Sequence, residues 1–173
     1  MHLKTLQHVA LFSICLAFVS HAADKTVTSK DGAFEIKYPD TWMIVDSAPG
    51  CVTGLSPVAA HMKGSTTFTV IFTGEDNVPL KDFTARRITA NKATPNFNLV
   101  EQTEFKLGET TGVKLTYLWD VGAPAPTSKF VEYVLVTAKH TYSMTAATSK
   151  DDYEHYAPEL DAILKSIKLA DAK

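Results

Sequence analysis

One stretch constrains the fold more than any other: Asp31 to Val45, reading D-G-A-F-E-I-K-Y-P-D-T-W-M-I-V. Asp31-Gly32 is a tight-turn pair, and Phe34, Ile36 and Tyr38 alternate with Glu35 and Lys37. That two-residue period is the pattern of a strand with one buried face. Pro39 ends the strand because it has no amide proton for a ladder bond, and Tyr38 before it is held extended. Trp42 then returns a large apolar surface to the domain, ahead of a second extended run at Met43, Ile44 and Val45. A strand, a proline corner and an anchoring tryptophan form a structural device and not an active site.

The first 22 residues read as an export signal: Lys4 in a basic start, an apolar run from Val9 to Val19, and Ser20-His21-Ala22 as a small-x-small cleavage ending. The apolar run is too short for a stable membrane anchor, so cleavage near Ala22-Ala23 and release to the periplasm or outside are expected. Ile14 before Cys15, where a small residue is needed, argues against a lipid anchor. Removing 22 of 173 residues leaves 151, enough for one domain spanning 23–173 that buries about 70% of its unfolded surface. The chain carries net −2, and Lys4 is the only charge in the leader, so the mature domain is mildly acidic. Without a basic run there is no electrostatic footprint for nucleic acid or anionic lipid. Cys51 alone survives cleavage, so no internal disulfide can form and the core must supply stability.

Lys25 to Ser29 is a weak strand. Asp46 to Gly64 is mostly loop, with one short strand near Cys51 to Leu55. Phe68, Val70 and Phe72 alternate with threonines as a strand. Asn77 as cap, Pro79, Leu80, Phe83 and Ile88 predict a helix closed by Thr94-Pro95. Leu99 to Leu107 is a more polar strand, Gly108 to Gly112 a turn, and Val113 to Val121 a strand at period two. Gly122 to Ser128 is an exposed connection stiffened by Pro124 and Pro126. Phe130 to Ala138, apolar on both faces apart from Glu132 and Thr137, reads as a central strand, and Thr141 to Thr148 as its antiparallel neighbour. Ser149 with Asp152 forms a capping box, followed by an apolar stripe of Tyr153, Tyr156, Leu160, Ile163, Leu164 and Ile167. Pro158 inside this helix predicts a kink or a fresh start.

F-E-I-K-Y-P-D-T-W and the ending L-D-A-I-L-K-S-I-K-L resemble PsbP-like domains, a group with a Pro-x-x-Trp corner after a short strand and a closing helix docked on an antiparallel sheet. The resemblance covers nearly all of the mature chain. It implies an α+β fold: a mostly antiparallel sheet of six or seven strands packed by helices on both sides, an α/β/α sandwich. The group includes the extrinsic PsbP subunit of photosystem II and exported bacterial DcrB-like proteins, and its members resemble assembly or interaction proteins more than enzymes. A photosystem role is not implied, because only about eight residues separate the cleavage site from Asp31. Phe34, Pro39 and Trp42 match the pattern as fold residues.

Candidate chemistry is sparse. Cys51 with a histidine would make a hydrolase nucleophile, but no nucleophile-elbow sequence surrounds it, and a small inert thiol is the simpler reading. His61-Met62, with His140 and Met144, would suit copper, yet adjacent ligands on a loop occur readily by chance. Asp151, Asp152, Glu154 and His155 gather at a helix start, where the dipole already favours acids. Arg86-Arg87, with Lys81 and Lys92, is a basic helix edge whose default is solvation. Tyr117, Trp119, Tyr133 and Tyr142 would line an apolar pocket if a small ligand binds inside; at strand spacing they read first as core.

No catalytic residue, metal or cofactor is therefore predicted. The expected role is a non-catalytic accessory protein with a protein partner in the cell envelope. Its contact surface would be the Asp46 to Gly64 loop, bearing Cys51, His61 and Met62, together with the connection bearing Pro124 and Pro126. The alternative is a periplasmic carrier of a small apolar or metal ligand.

Overall fold

The proline corner is where the chain changes sheets. In the computed structural model, which describes residues 24–29, 32–45, 51–58, 67–73 and 78–170, strand β2 (Phe34–Tyr38) buries Phe34, Ile36 and Tyr38 while Lys37 stays exposed. The Trp42 amide donates to the Pro39 carbonyl at 2.9 Å, closing the turn into β3 (Trp42–Val45). β2 lies at the centre of a three-stranded sheet with β1 (Lys25–Thr28) and β10 (Lys168–Leu169). β3 begins a different, seven-stranded sheet of order β3-β4-β5-β9-β8-β7-β6. Its other strands are β4 (Cys51–Pro57), β5 (Thr67–Thr73), β6 (Phe97–Leu107), β7 (Thr110–Trp119), β8 (Ser128–Val136) and β9 (Thr141–Ser149). Every described pairing is antiparallel.

β6 to β9 form a meander whose last strand pairs with β5, from Thr67 opposite Ala147 to Thr73 opposite Thr141. The chain must therefore cross the sheet between β5 and β6, and helix α1 (Leu80–Lys92) makes that crossing over β6, β7 and β8. Its Phe83 packs with Leu115, Tyr117 and Val134 in a small core on this face. The larger core fills the opposite face. There Leu55, Phe68, Val131, Leu135, Tyr142 and Met144 meet β2 and helix α2 (Tyr153–Ser166). The result is helix, sheet, helix in layers, with the small sheet beside α2.

The apolar stripe of α2 behaves as its spacing dictates. Tyr153, Leu160, Ile163, Leu164 and Ile167 are buried, and Tyr156 packs at their margin. Trp42 is wholly buried beneath this helix, edge-on to Tyr156 at 6.5 Å, and its indole N–H donates to Glu159. The Lys37 amide donates to Ser166 Oγ at 2.9 Å, and β10 then pairs with β2, so the C-terminus closes on the stretch that opens the fold.

Four expectations are corrected. The Ser149–Asp152 bonds form, at 2.7 and 3.1 Å, but they close a turn and α2 starts at Tyr153. Pro158 does not restart α2, which runs unbroken from Tyr153 to Ser166, because at its sixth residue it removes one bond, to the exposed Glu154 in the first turn. The strand near Cys51 runs on to Pro57. The turn expected over Gly108 to Gly112 is shorter, since β7 already begins at Thr110. Asn77 lies outside the described residues, and α1 has no side-chain cap.

Gly112 is in the strand for lack of room. A Cβ there would stand 2.5 Å from the Val134 carbonyl oxygen and 2.6 Å from Leu135 Cδ2. Backbone cannot yield as a flexible side chain can, so Gly112→Ala should cost about 3 kcal/mol. Chemical denaturation would measure it; a loss below about 1 kcal/mol would show that β7 and β8 separate easily.

Burial also sets an alkaline limit. It pushes the phenols of Tyr133 and Tyr153 above their ordinary range, with Tyr153 and Asp161 adding to the effect on Tyr133, and Glu154 and Asp161 to that on Tyr153. A pKa raised on folding leaves stability intact below the unfolded value, about 10, and lowers it as pH climbs from there toward the folded value. Melting temperature should therefore fall above about pH 10, and Tyr133→Phe should lessen the fall. Melting curves across this range, with phenolate absorbance, test it; an unchanged slope in the variant would exclude Tyr133 as a cause.

Candidate functional site

Where α1 stops covering the sheet, its face opens into a cavity of about 350 Å³. β strand registers build its floor row by row. Thr69 lies opposite Thr145 and Thr145 opposite Glu132; Thr67 lies opposite Ala147, Ala147 opposite Phe130, and Phe130 opposite Tyr117. Small side chains on β5 and β9 leave the space, while α1 supplies Arg87 and Asn91 from one side.

At the floor is Glu132, 2% exposed although ionisable. It sits on β8 between Val131 and Tyr133, and a buried carboxylate there requires partners. Arg87 Nε donates to Glu132 Oε1 at 2.7 Å, and the Ser143 hydroxyl donates to the same oxygen at 2.6 Å. Asn91 approaches Oε2 at 3.5 Å. Beside this pair the Tyr117 hydroxyl is buried with no hydrogen-bond partner at normal geometry. Burial raises the Tyr117 phenol's pKa; the Asn91 amide close by and the Arg87 charge pull it down, and Glu132 pushes it up. The far wall is aromatic, with Phe97 4.9 Å from Tyr117 and 5.2 Å from Phe130 between ring centres.

The residues singled out from sequence separate, Arg87 and Tyr117 lining the cavity. Cys51 opens β4, opposite Ile71, and its side chain, like His61 and Met62, lies outside the described residues. Pro124 and Pro126 are exposed in the connection between β7 and β8, with a cis Ala123-Pro124 bond, at the end of the sheet where Trp119 pairs with Ser128. They do not line the cavity. The four aromatic residues expected around one pocket divide between faces: Tyr117 lines the cavity and Trp119 packs beside its Phe97 and Phe130 wall, whereas Tyr142 and Tyr133 belong to the core on the α2 side, because alternate strand positions point oppositely. Met144 is fully buried in that same core, away from a ligand role.

The basic helix edge also separates: Arg86 lies over the Phe83 ring at 5.7 Å, while Arg87 turns in to Glu132. Of the acidic group at α2, Asp152 bonds Ser149, Glu154 meets Lys129 at 3.4 Å, and the His155 ring packs on Tyr156. Among the described residues no cluster of three metal-ligating side chains forms, and no helix is long and apolar enough to cross a membrane. Glu132 was the signal to follow: a carboxylate set inside an otherwise apolar strand.

These features define an α/β/α sandwich with a polar-floored cavity under its crossover helix. The fold is PsbP-like. The solution structure of cyanobacterial PsbP (CyanoP) from Synechocystis sp. PCC 6803 superposes with a TM-score of 0.64 at 16% identity, over 88% of this chain and 95% of that one. LpqN, involved in cell envelope biogenesis of Mycobacterium tuberculosis, gives 0.65 at 13% identity over 86% and 91%. A protein of unknown function from Pseudomonas aeruginosa gives 0.54 at 14% identity over 83% and 94%. No protein-family profile and no curated protein sequence matches the chain. At such identities the likeness is one of fold, since one fold hosts many functions.

Proposed function

We propose that this chain is an exported, non-catalytic accessory protein of the cell envelope that works by binding, with residues 1–22 removed near Ala22-Ala23. The observation that carries the reading is the cavity under α1, whose Arg87–Glu132 pair balances charge through Nε and Oε1 and leaves other polar atoms, hydroxyls and aromatic rings for recognition. Glu132, held by Arg87 and Ser143, is placed to orient a ligand. The fold it shares with a protein involved in cell envelope biogenesis agrees with an envelope role. The cavity favours a small-molecule carrier over a purely protein-docking module; docking through Pro124 and Pro126 is the second reading, supported by their exposure on a connection.

Native mass spectrometry of the protein taken gently from its own compartment tests this. A stoichiometric small adduct that survives desalting is the expected result, and a stoichiometric protein partner would support the second reading. Bare protein, free of adduct and partner, would overturn both.

A further inference from the structure

The charge balance of the cavity restricts what it can hold. Arg87 uses Nε on Glu132, and its two Nη groups make no bond to a described residue although the side chain is 33% exposed. Glu132 takes both short bonds on Oε1, leaving Oε2 with only the 3.5 Å approach of Asn91. Tyr117 adds a buried hydroxyl that has the Asn91 amide close by but no hydrogen bond of normal geometry. Unused donors and an underused acceptor thus lie side by side on a floor whose formal charges cancel.

That arrangement selects by charge. A carboxylate or phosphate would gain from Arg87 but be forced beside Glu132, and a cation would gain from Glu132 and be forced beside Arg87. Either would bring one uncompensated charge into a partly desolvated space. A neutral group that accepts and donates at adjacent atoms satisfies both residues and adds no charge. An amide does this, with its carbonyl toward Arg87 and its N–H toward Glu132 Oε2. The tilted rings of Phe97 and Phe130 then offer an apolar wall for a flat ring attached to it.

We propose that the cavity binds a small uncharged molecule bearing an amide on an apolar ring, held between Arg87 and Glu132 against Phe97 and Phe130. The proposal rests on the binding role inferred above and names its ligand class.

Three probes of one shape separate the charge states: benzamide, benzoate and benzamidinium. Amide resonances of Thr69, Thr145 and Tyr117 would be followed by NMR as each probe is added to the purified protein. Benzamide should shift them saturably, with a Kd on the order of millimolar for so small a ligand, and each charged probe should bind at least about tenfold more weakly. Glu132→Gln leaves the Arg87 charge uncompensated, so benzoate should overtake benzamide. If a charged probe matches benzamide in the unaltered protein, the neutral ligand class fails while the binding role stands. If no probe moves these resonances at about 20 mM, well above the expected Kd, both fail.

Discussion

Replacing Trp42 by alanine should cost about 4 kcal/mol and lower the melting temperature by about 10 °C or more. The side chain is entirely buried, packs edge-on against Tyr156 and bonds Glu159, so truncation opens a cavity and orphans a partner at once. Its neighbours cannot collapse into the space easily. Trp42 stands where the chain leaves the three-stranded sheet for the seven-stranded one, and α2, closing over it, is tied to β2 through Lys37 and Ser166. Trp42→Phe keeps most of the volume and loses the N–H bond, and should cost about 1–2 kcal/mol. Urea unfolding of the two variants would show the order. Equal costs would mean that the bond to Glu159, and not the buried volume, holds the corner.

The corner was readable because each of its signals is local. Alternation over Phe34 to Tyr38, a proline that cannot continue the ladder, and a tryptophan three residues later require no knowledge of the rest of the chain. The α2 stripe and the β6 to β9 meander were readable for the same reason, as their periods are carried by consecutive residues. What escaped depends on contacts distant in sequence. β10 is two residues, Lys168 and Leu169, without a pattern of their own; they become a strand only because α2 delivers them to β2. Gly112 looked like a turn residue because glycines gather there, and only the approach of Val134 and Leu135 explains it. The cavity escaped almost wholly. Arg87 and Glu132 are 45 residues apart, and their meeting depends on the path α1 takes across the sheet. From sequence, Arg87 belonged to a solvated basic edge, and Glu132 was an exception in a strand.

That pair yields the second large effect, and the effect should be lopsided. Arg87→Met leaves Glu132, 2% exposed, with only Ser143 and a distant Asn91 to stabilise its charge. Breaking a buried pair this way costs about 3–5 kcal/mol. The lower end is expected, since the departing Arg87 was one-third exposed and water can enter behind it. Glu132→Leu leaves the opposite remainder. The guanidinium can turn to solvent, and the main loss is the acceptor of the buried Ser143 hydroxyl, so about 1–2 kcal/mol is expected. The double variant removes both charges and fills the floor with apolar volume, and with only the Ser143 hydroxyl left short of its acceptor it should lie within about 2 kcal/mol of the unaltered protein. A double-mutant cycle by chemical denaturation would measure all three and return a coupling of about 2 kcal/mol or more. If the single substitutions cost the same, the exposure difference does not govern the pair. If the double variant is as unstable as Arg87→Met, Glu132 supports the strand by packing and the ion pair is incidental. The expected outcome instead makes the pair nearly dispensable for folding, so its place at the cavity floor is explained by binding more readily than by stability.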